Sequence, residues 1–407
     1  MSKKLYISTK AINAEINLPA SKSISNRVLI INALSDNFCE PQNLSDSDDT
    51  RVLQTALQSN DTHFDVGAAG TSMRFLTAFL AQKLGVWTIT GSERMKQRPI
   101  KILVDALNSL GEKVEYLEKD GFPPLRIIGN PLTGGEISLN GSVSSQYVSA
   151  LMLIAPYMKN GLSIGLEGEI VSKSYIEMTL AIMREFGADI SFSENTIVVK
   201  PKHYKPSSFT VEPDWSAASY WYEIFSFIDS EKIFLPGLKK NSLQGDSKVT
   251  ELFEYLGVKT EFCEKGATLT PLSYHVKDHT KALRYNFVNE PDLMQTFAVT
   301  CCLKDVPFEF SGLQSLKIKE TDRIAALITE LKKFGYVLHE FPENTLVWNG
   351  ERCSPQKNPS VATYNDHRMA MAFAPIALTQ TIEIQYPEVV SKSYPKFWED
   401  LLSVSSA

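Results

Sequence analysis

Leu18-Pro19-Ala20-Ser21-Lys22-Ser23-Ile24-Ser25-Asn26-Arg27, running directly into Val28-Leu29-Ile30-Ile31, sets two cations and a series of hydroxyl and amide side chains at the start of an apolar helix. A helix N-terminus leaves N–H groups unpaired and carries the positive end of the macrodipole. Lys22 and Arg27 therefore add full charges where phosphate or carboxylate is already favoured. A serine N-cap with solvated flanking charges would explain any one such start. The arrangement, however, returns along the chain. Helices apolar on nearly every face are predicted over Asn26 to Leu34, Thr71 to Leu84, Ser144 to Met158, Ser216 to Phe227, Asp292 to Leu303 and Asp366 to Leu378, each opened by polar or charged residues. Helices without a polar stripe must lie inside a domain, and these are too short to span a membrane.

Amphipathic helices lie between several of them, and four end alike, at Leu110-Gly111, Phe186-Gly187, Leu256-Gly257 and Phe334-Gly335. Each glycine is placed to close its helix, and an alternating strand follows: Glu112 to Leu117, Ala188 to Phe192, Val258 to Phe262 and Tyr336 to His339. Recurrence at roughly 70 to 80 residues marks an internal repeat of strand and helix units. The fold class is thus α/β, built of α+β repeats. Six units make two domains of three, with a boundary near Val211-Glu212-Pro213-Asp214, where proline breaks the run of elements. Lys4 to Asn17 reads as a strand pair.

A chain of 407 residues, 43% hydrophobic, is too long for one ordinary core. Its formal net charge of −6 argues against nucleic acid or an acidic membrane as a general partner, so any anion site must be local. Cys39, Cys263, Cys301, Cys302 and Cys353 show neither CxxC spacing nor nearby histidines, which points away from zinc and from a disulfide framework. Lys3 and Lys4 are followed by only three largely apolar residues, which does not read as a secretory leader, and a cytoplasmic location is expected.

Chemistry concentrates at the helix starts. Gly67-Ala68-Ala69-Gly70-Thr71-Ser72-Met73-Arg74 offers a loop that a ligand can approach closely, followed by hydroxyls and a guanidinium. Arg94, Lys96 and Arg98 precede a helix, where cations oppose the dipole and are better explained by a ligand than by capping. Ser142, Ser144, Ser145 and Gln146 supply neutral donors, and Ser172, Lys173, Ser174 and Tyr175 repeat the style. Asp292, opening the apolar helix at Leu293, reads either as a cap or as a general base in a dry site. Lys317, Lys319, Glu320, Asp322 and Arg323 crowd one helix start, as either a surface ion-pair cluster or a binding group. Asp366-His367-Arg368 and Lys392 complete the set. The chain has no Walker loop, GxSxG elbow, HExxH or Rossmann glycine pattern. What remains suits small, multiply anionic substrates and proton transfer.

Taken together, these motifs resemble the 5-enolpyruvylshikimate-3-phosphate synthases over essentially the whole chain. The marks are LPASKSISNR at 18–27, GAAGTSMR at 67–74, RPI at 98–100, GSVSSQ at 141–146, KETDR at 319–323, NDHRMAM at 365–371 and SKSYP at 391–395. The resemblance implies a two-domain enolpyruvyl transferase fold, each domain three repeated β/α units with buried helices and outer sheets. Residues 1–19 plus 213–407 would form one domain and residues 20–212 the other, with the site in the cleft between them. It implies transfer of the enolpyruvyl group of phosphoenolpyruvate to the 5-hydroxyl of shikimate 3-phosphate with release of phosphate, by a monomer that uses neither metal nor organic cofactor. Ser23, Arg27, Ser144, Ser145, Gln146, Ser172, Tyr175, Asp292, Ser315 and Lys319 would hold shikimate 3-phosphate. Lys22, Gly70, Arg98, Gln146, Arg323, His367, Arg368 and Lys392 would hold phosphoenolpyruvate. Asp292 would accept the hydroxyl proton, while Lys22 and Glu320 would deliver and recover the proton at the enol methylene.

The chain departs from the family pattern at Ala68 (usually Asn), Phe75 (Pro), Ser174 (often Pro) and Ser315 (Asn). Ala68 and Phe75 are expected beside the phosphoenolpyruvate pocket, where affinity for that substrate and for its mimic glyphosate would change. Two rival readings are a sister enolpyruvyl transferase acting on a UDP-sugar and a non-catalytic sensor of phosphate ligands. The first typically has a cysteine within the loop equivalent to 92–99, absent here, and the second is disfavoured by the presence of Lys22, Asp292, Glu320 and Lys392.

Overall fold

Apolar runs with polar starts fold as short buried helices between strands. In the computed structural model, which describes residues 2–7, 13–35, 39–142, 144–228, 231–272 and 282–404, these helices are Lys22–Leu34, Gly70–Gln82, Ser145–Ile154, Trp215–Phe227, Met294–Leu303 and His367–Phe373. The helix at Ser145 runs on as a 3-10 turn, Ala155–Tyr157, and that at His367 as Ala374–Leu378. Ile24, Val28 and Ile31 are completely buried, each contributing about 1.5–3 kcal/mol of transfer free energy. The first helix begins four residues earlier than its apolar run suggests, so Lys22 and Ser23 lie in its first turn rather than before it.

Four sheets of four strands share one topology. In Ala20–Val211, His63–Asp65 pairs parallel with Gly85–Thr90, which pairs antiparallel with Leu125–Gly129 and through it with Lys113–Tyr116. Gly135–Asn140, Leu162–Glu167, Thr196–Val199 and Ile190–Ser193 repeat the order. In the rest of the chain it recurs in Asn13–Glu15, Lys232–Pro236, Gly266–Pro271 and Val258–Cys263. It recurs again in Leu283–Asn286, Phe308–Ser311, Thr345–Trp348 and His339–Phe341. A buried helix connects three of the parallel pairs, while Ala20–Val211 and then the helix Trp215–Phe227 lie between Asn13–Glu15 and Lys232–Pro236; in all four sheets an amphipathic helix leads from the second strand to the closing hairpin. Gly111, Gly187, Gly257 and Gly335 take φ between 82° and 103°, the left-handed backbone that ends a helix without a Cβ penalty.

The chain divides into a continuous unit, Ala20–Val211, and a discontinuous one, Met1–Pro19 with Glu212–Ala407. Within the first, the helices starting at Lys22, Gly70 and Ser145 pack on one another; within the second, those starting at Trp215, Met294 and His367 do the same.

Two expectations need correction. The Lys4 to Asn17 stretch is not a strand pair: Ser2–Leu5 pairs with Ile382–Gln385 and Asn13–Glu15 with Lys232–Phe234, in different sheets, while residues 8–12 lie outside the described residues. The strand expected from Tyr336 begins at His339, because Tyr336 forms only an isolated bridge to Arg352.

Candidate active site

In Ala20–Val211 the predicted residues gather at helix starts. Lys22 Nζ lies 3.2 Å from Asp49 Oδ2, an acid in the first turn of the helix Asp48–Gln58. Arg27 is buried and donates to Thr179 Oγ1 (2.6 Å), the Ser23 carbonyl (2.8 Å), Ser149 Oγ (3.2 Å) and the Tyr175 carbonyl (3.3 Å). These four bonds tie together the helices that carry Ser23, Ser149 and Tyr175, and leave one of the five guanidinium N–H groups beyond them. Burial lowers its pKa to about 10, so it stays charged at neutral pH. The Phe75 ring lies under its guanidinium, 5.5 Å from centroid to Cζ. Phe75 thus touches a residue assigned to shikimate 3-phosphate, where proximity to the phosphoenolpyruvate group was expected.

Ser144 caps its helix by accepting from the Gln146 backbone N–H (3.4 Å), and the Gln146 amide donates to Thr71 Oγ1 (3.2 Å), joining two buried helix starts. Ser145 and Ser172 are buried, the latter in left-handed backbone at φ 57°. The Arg98 guanidinium lies directly against Gly70, where a Cβ would sit 2.6 Å from Nη1 and push the arginine aside. Arg74 donates to the carbonyls of Gly70 and Pro99, both at 3.1 Å, and so braces this turn. Lys96 is instead an exposed ion-pair partner of Glu118 (2.9 Å) and Glu93 (3.7 Å), which raise its pKa; its cation is neutralised locally.

The other cluster, in Glu212–Ala407, is denser. Asp292 sits in a 3-10 turn, Pro291–Leu293, and does not cap the helix that follows. Its carboxylate is instead shared by two guanidiniums: Oδ1 accepts from Arg323 Nη1 at 2.9 Å, and Oδ2 lies 2.8 Å from Arg368 Nη2. Arg368 Nη1 also donates to the Asp292 carbonyl at 3.2 Å, and Lys319 Nζ stands 3.9 Å from Oδ1. Arg323 further donates to Glu320 (3.0 Å) and Asp366 (2.8 Å). Burial disfavours its charge, but the carboxylates of Asp366, Glu320 and Asp292 outweigh that and raise its pKa. For Lys319 burial wins and the pKa falls. Asp366 caps the helix His367–Phe373 by accepting from the Arg368 backbone N–H (2.9 Å), and His367 is buried in its first turn. Lys392 Nζ donates to the Asn365 carbonyl (2.6 Å) and side chain (3.1 Å). Ser315 Oγ is buried with no hydrogen-bond partner among the described residues.

Sequence reading missed two acids, Asp49 and Asp246, and gave a third, Asp366, no role of its own. Asp49 holds Lys22, Asp366 accepts from the Arg323 guanidinium and from the Arg368 backbone N–H, and Asp246 is buried and accepts from Ser216 Oγ, which in turn accepts from Arg368 Nη2 at 3.3 Å. An acid early in a helix reads as ordinary capping chemistry, so nothing local set them apart. Chemically, the second cluster is a set of cations neutralised by carboxylates until a stronger anion competes for them.

The family model described as EPSP synthase (3-phosphoshikimate 1-carboxyvinyltransferase) matches residues 7–60 and 53–401. The chain is 56% identical over 392 residues to the 3-phosphoshikimate 1-carboxyvinyltransferase of Bacteroides fragilis, covering 96% of this chain and 95% of that one. It is 35% identical over 430 residues to the Vibrio vulnificus protein of that name, covering 97% of each. Among solved structures, the EPSP synthase of Acinetobacter baumannii superposes with a TM-score of 0.78 at 18% identity, covering 99% and 98%. The enolpyruvyl transferase NikO of Streptomyces tendae gives 0.72 at 16% identity, covering 98% and 96%. With motifs, fold and relatives in agreement, this chain belongs to the EPSP synthase family.

Proposed function

We propose that this chain transfers the enolpyruvyl group of phosphoenolpyruvate to the 5-hydroxyl of shikimate 3-phosphate by addition and elimination. The observation that carries the reading is the double engagement of Asp292 by Arg323 and Arg368 at 2.9 and 2.8 Å. Two guanidiniums on one carboxylate form a ready receptor for the carboxylate and phosphate of phosphoenolpyruvate. When that ligand takes the guanidiniums, Asp292 loses two stabilising cations and becomes a stronger base toward the substrate hydroxyl.

The residue assignments follow. Shikimate 3-phosphate is held by Ser23, Arg27, Ser144, Ser145, Gln146, Ser172 and Tyr175, with Asp292, Ser315 and Lys319. Phosphoenolpyruvate is held by Lys22, Gly70, Arg98, Gln146, Arg323, His367, Arg368 and Lys392. In the addition step the enol methylene takes a proton from Lys22, and the 5-oxygen, losing its proton to Asp292, bonds to the enol carbon. In the elimination step the methyl group returns a proton, with Glu320 assisting, and the C–O bond to phosphate breaks. The enzyme works as a cytoplasmic monomer on these two small molecules; all five cysteines are free thiols, in keeping with a reducing compartment.

Phosphate release tests the reading directly. Purified protein is given phosphoenolpyruvate with shikimate 3-phosphate, or with UDP-N-acetylglucosamine. Release with the first pair alone is expected. Release with the second pair would reassign the chain to UDP-sugar chemistry, and release with neither from folded protein would make it a non-catalytic binder.

A further inference from the structure

The helix Arg323–Lys333 grips the strand and turn at 360–366 at two points, and only the first belongs to the site already described. Arg323 holds Asp366. Seven residues on, two turns along the same helix face, Glu330 is completely buried and accepts three donors from other groups. Its Oε1 accepts from the Tyr364 hydroxyl at 2.7 Å, and its Oε2 from the Ala362 backbone N–H at 3.0 Å and Lys333 Nζ at 2.7 Å. Lys333 Nζ donates again to the Ser360 carbonyl at 2.9 Å. One carboxylate thus fixes the backbone on both sides of Val361. Burial, followed by the Glu330 carboxylate, raises the pKa of Tyr364, which keeps that hydroxyl protonated and donating.

The turn held in this way is left-handed at both central positions. Tyr364 and Asn365 both adopt left-handed backbone, φ 52° and 56°. The same pair of left-handed residues occurs in the hairpin turns at Glu194–Asn195 and Glu343–Asn344, whereas this turn leads into the helix His367–Phe373 and is closed by the Asp366 N–H donating to the Thr363 carbonyl at 2.8 Å. The carbonyl of Asn365 receives Lys392, and the next residue, Asp366, accepts from the Arg323 guanidinium and caps the helix that carries Arg368.

We propose that Glu330, with Tyr364 as its reach, is a positioning residue for the phosphoenolpyruvate half of the site: it imposes the Tyr364–Asn365 turn that places the Lys392 ammonium and the Asp366 carboxylate. The proposal rests on the assignment of Lys392, Arg323 and Arg368 to phosphoenolpyruvate. Glu330 itself touches neither ligand nor reacting atom in this scheme.

The test compares steady-state kinetics for both substrates in Tyr364→Phe, Glu330→Gln and Lys392→Met, with thermal unfolding of each variant. Tyr364→Phe deletes one hydroxyl from a partly exposed ring, so it should fold even if Glu330→Gln does not. Both Tyr364→Phe and Glu330→Gln are expected to raise KM for phosphoenolpyruvate by about fivefold or more while KM for shikimate 3-phosphate stays within about twofold. Lys392→Met should raise KM for phosphoenolpyruvate in the same selective way. If Lys392→Met does so but Tyr364→Phe leaves both constants unchanged, or shifts both alike, the positioning role is overturned and Glu330 is a structural residue. If Lys392→Met itself leaves KM for phosphoenolpyruvate unchanged, the assignment of the ligand is wrong and the proposal falls with it.

Discussion

Arg323 donates to Asp366 through Nε at 2.8 Å with both side chains buried, and the same guanidinium reaches Asp292 and Glu320 at 2.9 and 3.0 Å. It is the shared counter-charge of three acids. Arg323→Met should therefore cost about 3–5 kcal/mol of stability, the usual penalty for leaving buried charge uncompensated. A fall in the urea midpoint of the discontinuous unit checks this. A loss below about 1 kcal/mol would show that the carboxylates find other partners.

Asp292→Asn removes a base and also the anion that competes for Arg323 and Arg368. Turnover should drop by roughly 100-fold or more, while KM for phosphoenolpyruvate stays level or falls. Phosphate-release kinetics at saturating shikimate 3-phosphate measure both. Turnover within about threefold of the parent would take Asp292 out of the proton transfer.

Phe75→Leu keeps an apolar side chain but removes the ring face beneath Arg27. A cation–π contact is worth about 0.5–2 kcal/mol, so KM for shikimate 3-phosphate should rise roughly two- to thirtyfold with little change for phosphoenolpyruvate. Calorimetric titration with shikimate 3-phosphate alone gives an independent reading. Unchanged affinity would mean that the ring serves packing only.

Asp246 supplies a pH signature. Burial first, and the charge of Asp292 second, push its carboxyl from 3.8 to about 7. The folded chain thus keeps a proton that the unfolded chain releases, so stability falls as pH rises through the interval between those values and levels off above it. Asp246→Asn removes the effect. The unfolding free energy of the variant, minus that of the parent, should grow between about pH 4 and pH 7 and then level off, with a limiting slope of about 1.4 kcal/mol per pH unit. A constant difference would mean that Asp246 does not hold this proton.

The buried helices were legible because a run such as Leu293 to Leu303 has no polar face to turn toward water, and the closing glycines because few other residues adopt that backbone cheaply. Strand partners were harder. Ser2–Leu5 buries only Leu5, and its partner Ile382–Gln385 lies far along the sequence, so local pattern carries no such information. At the site, the Lys and Arg residues stood out by their position at helix starts. Lys96 shared that position and proved to be paired on the surface, because the acids that neutralise it, Glu93 and Glu118, approach only once the chain folds. Asp292 could be read as a cap or a base, and its contacts exclude the cap. Asp49, Asp246 and Asp366 act through cations placed elsewhere in sequence, which a linear reading does not join.

The discontinuous unit has a consequence for biosynthesis. Ser2–Leu5 and Asn13–Glu15 leave the ribosome first, yet their partners follow the whole of Ala20–Val211. Among the described residues the strands of the continuous unit pair only with one another, so it can fold while synthesis proceeds, whereas the leading strands must wait as unpaired edges. The order of assembly is inside out: Ala20–Val211 first, the segments that flank it last. A nascent chain arrested at Pro271 should accordingly protect Ala20–Val211 from protease while Ser2–Leu5 is still cleaved, and early protection of that strand would refute this order.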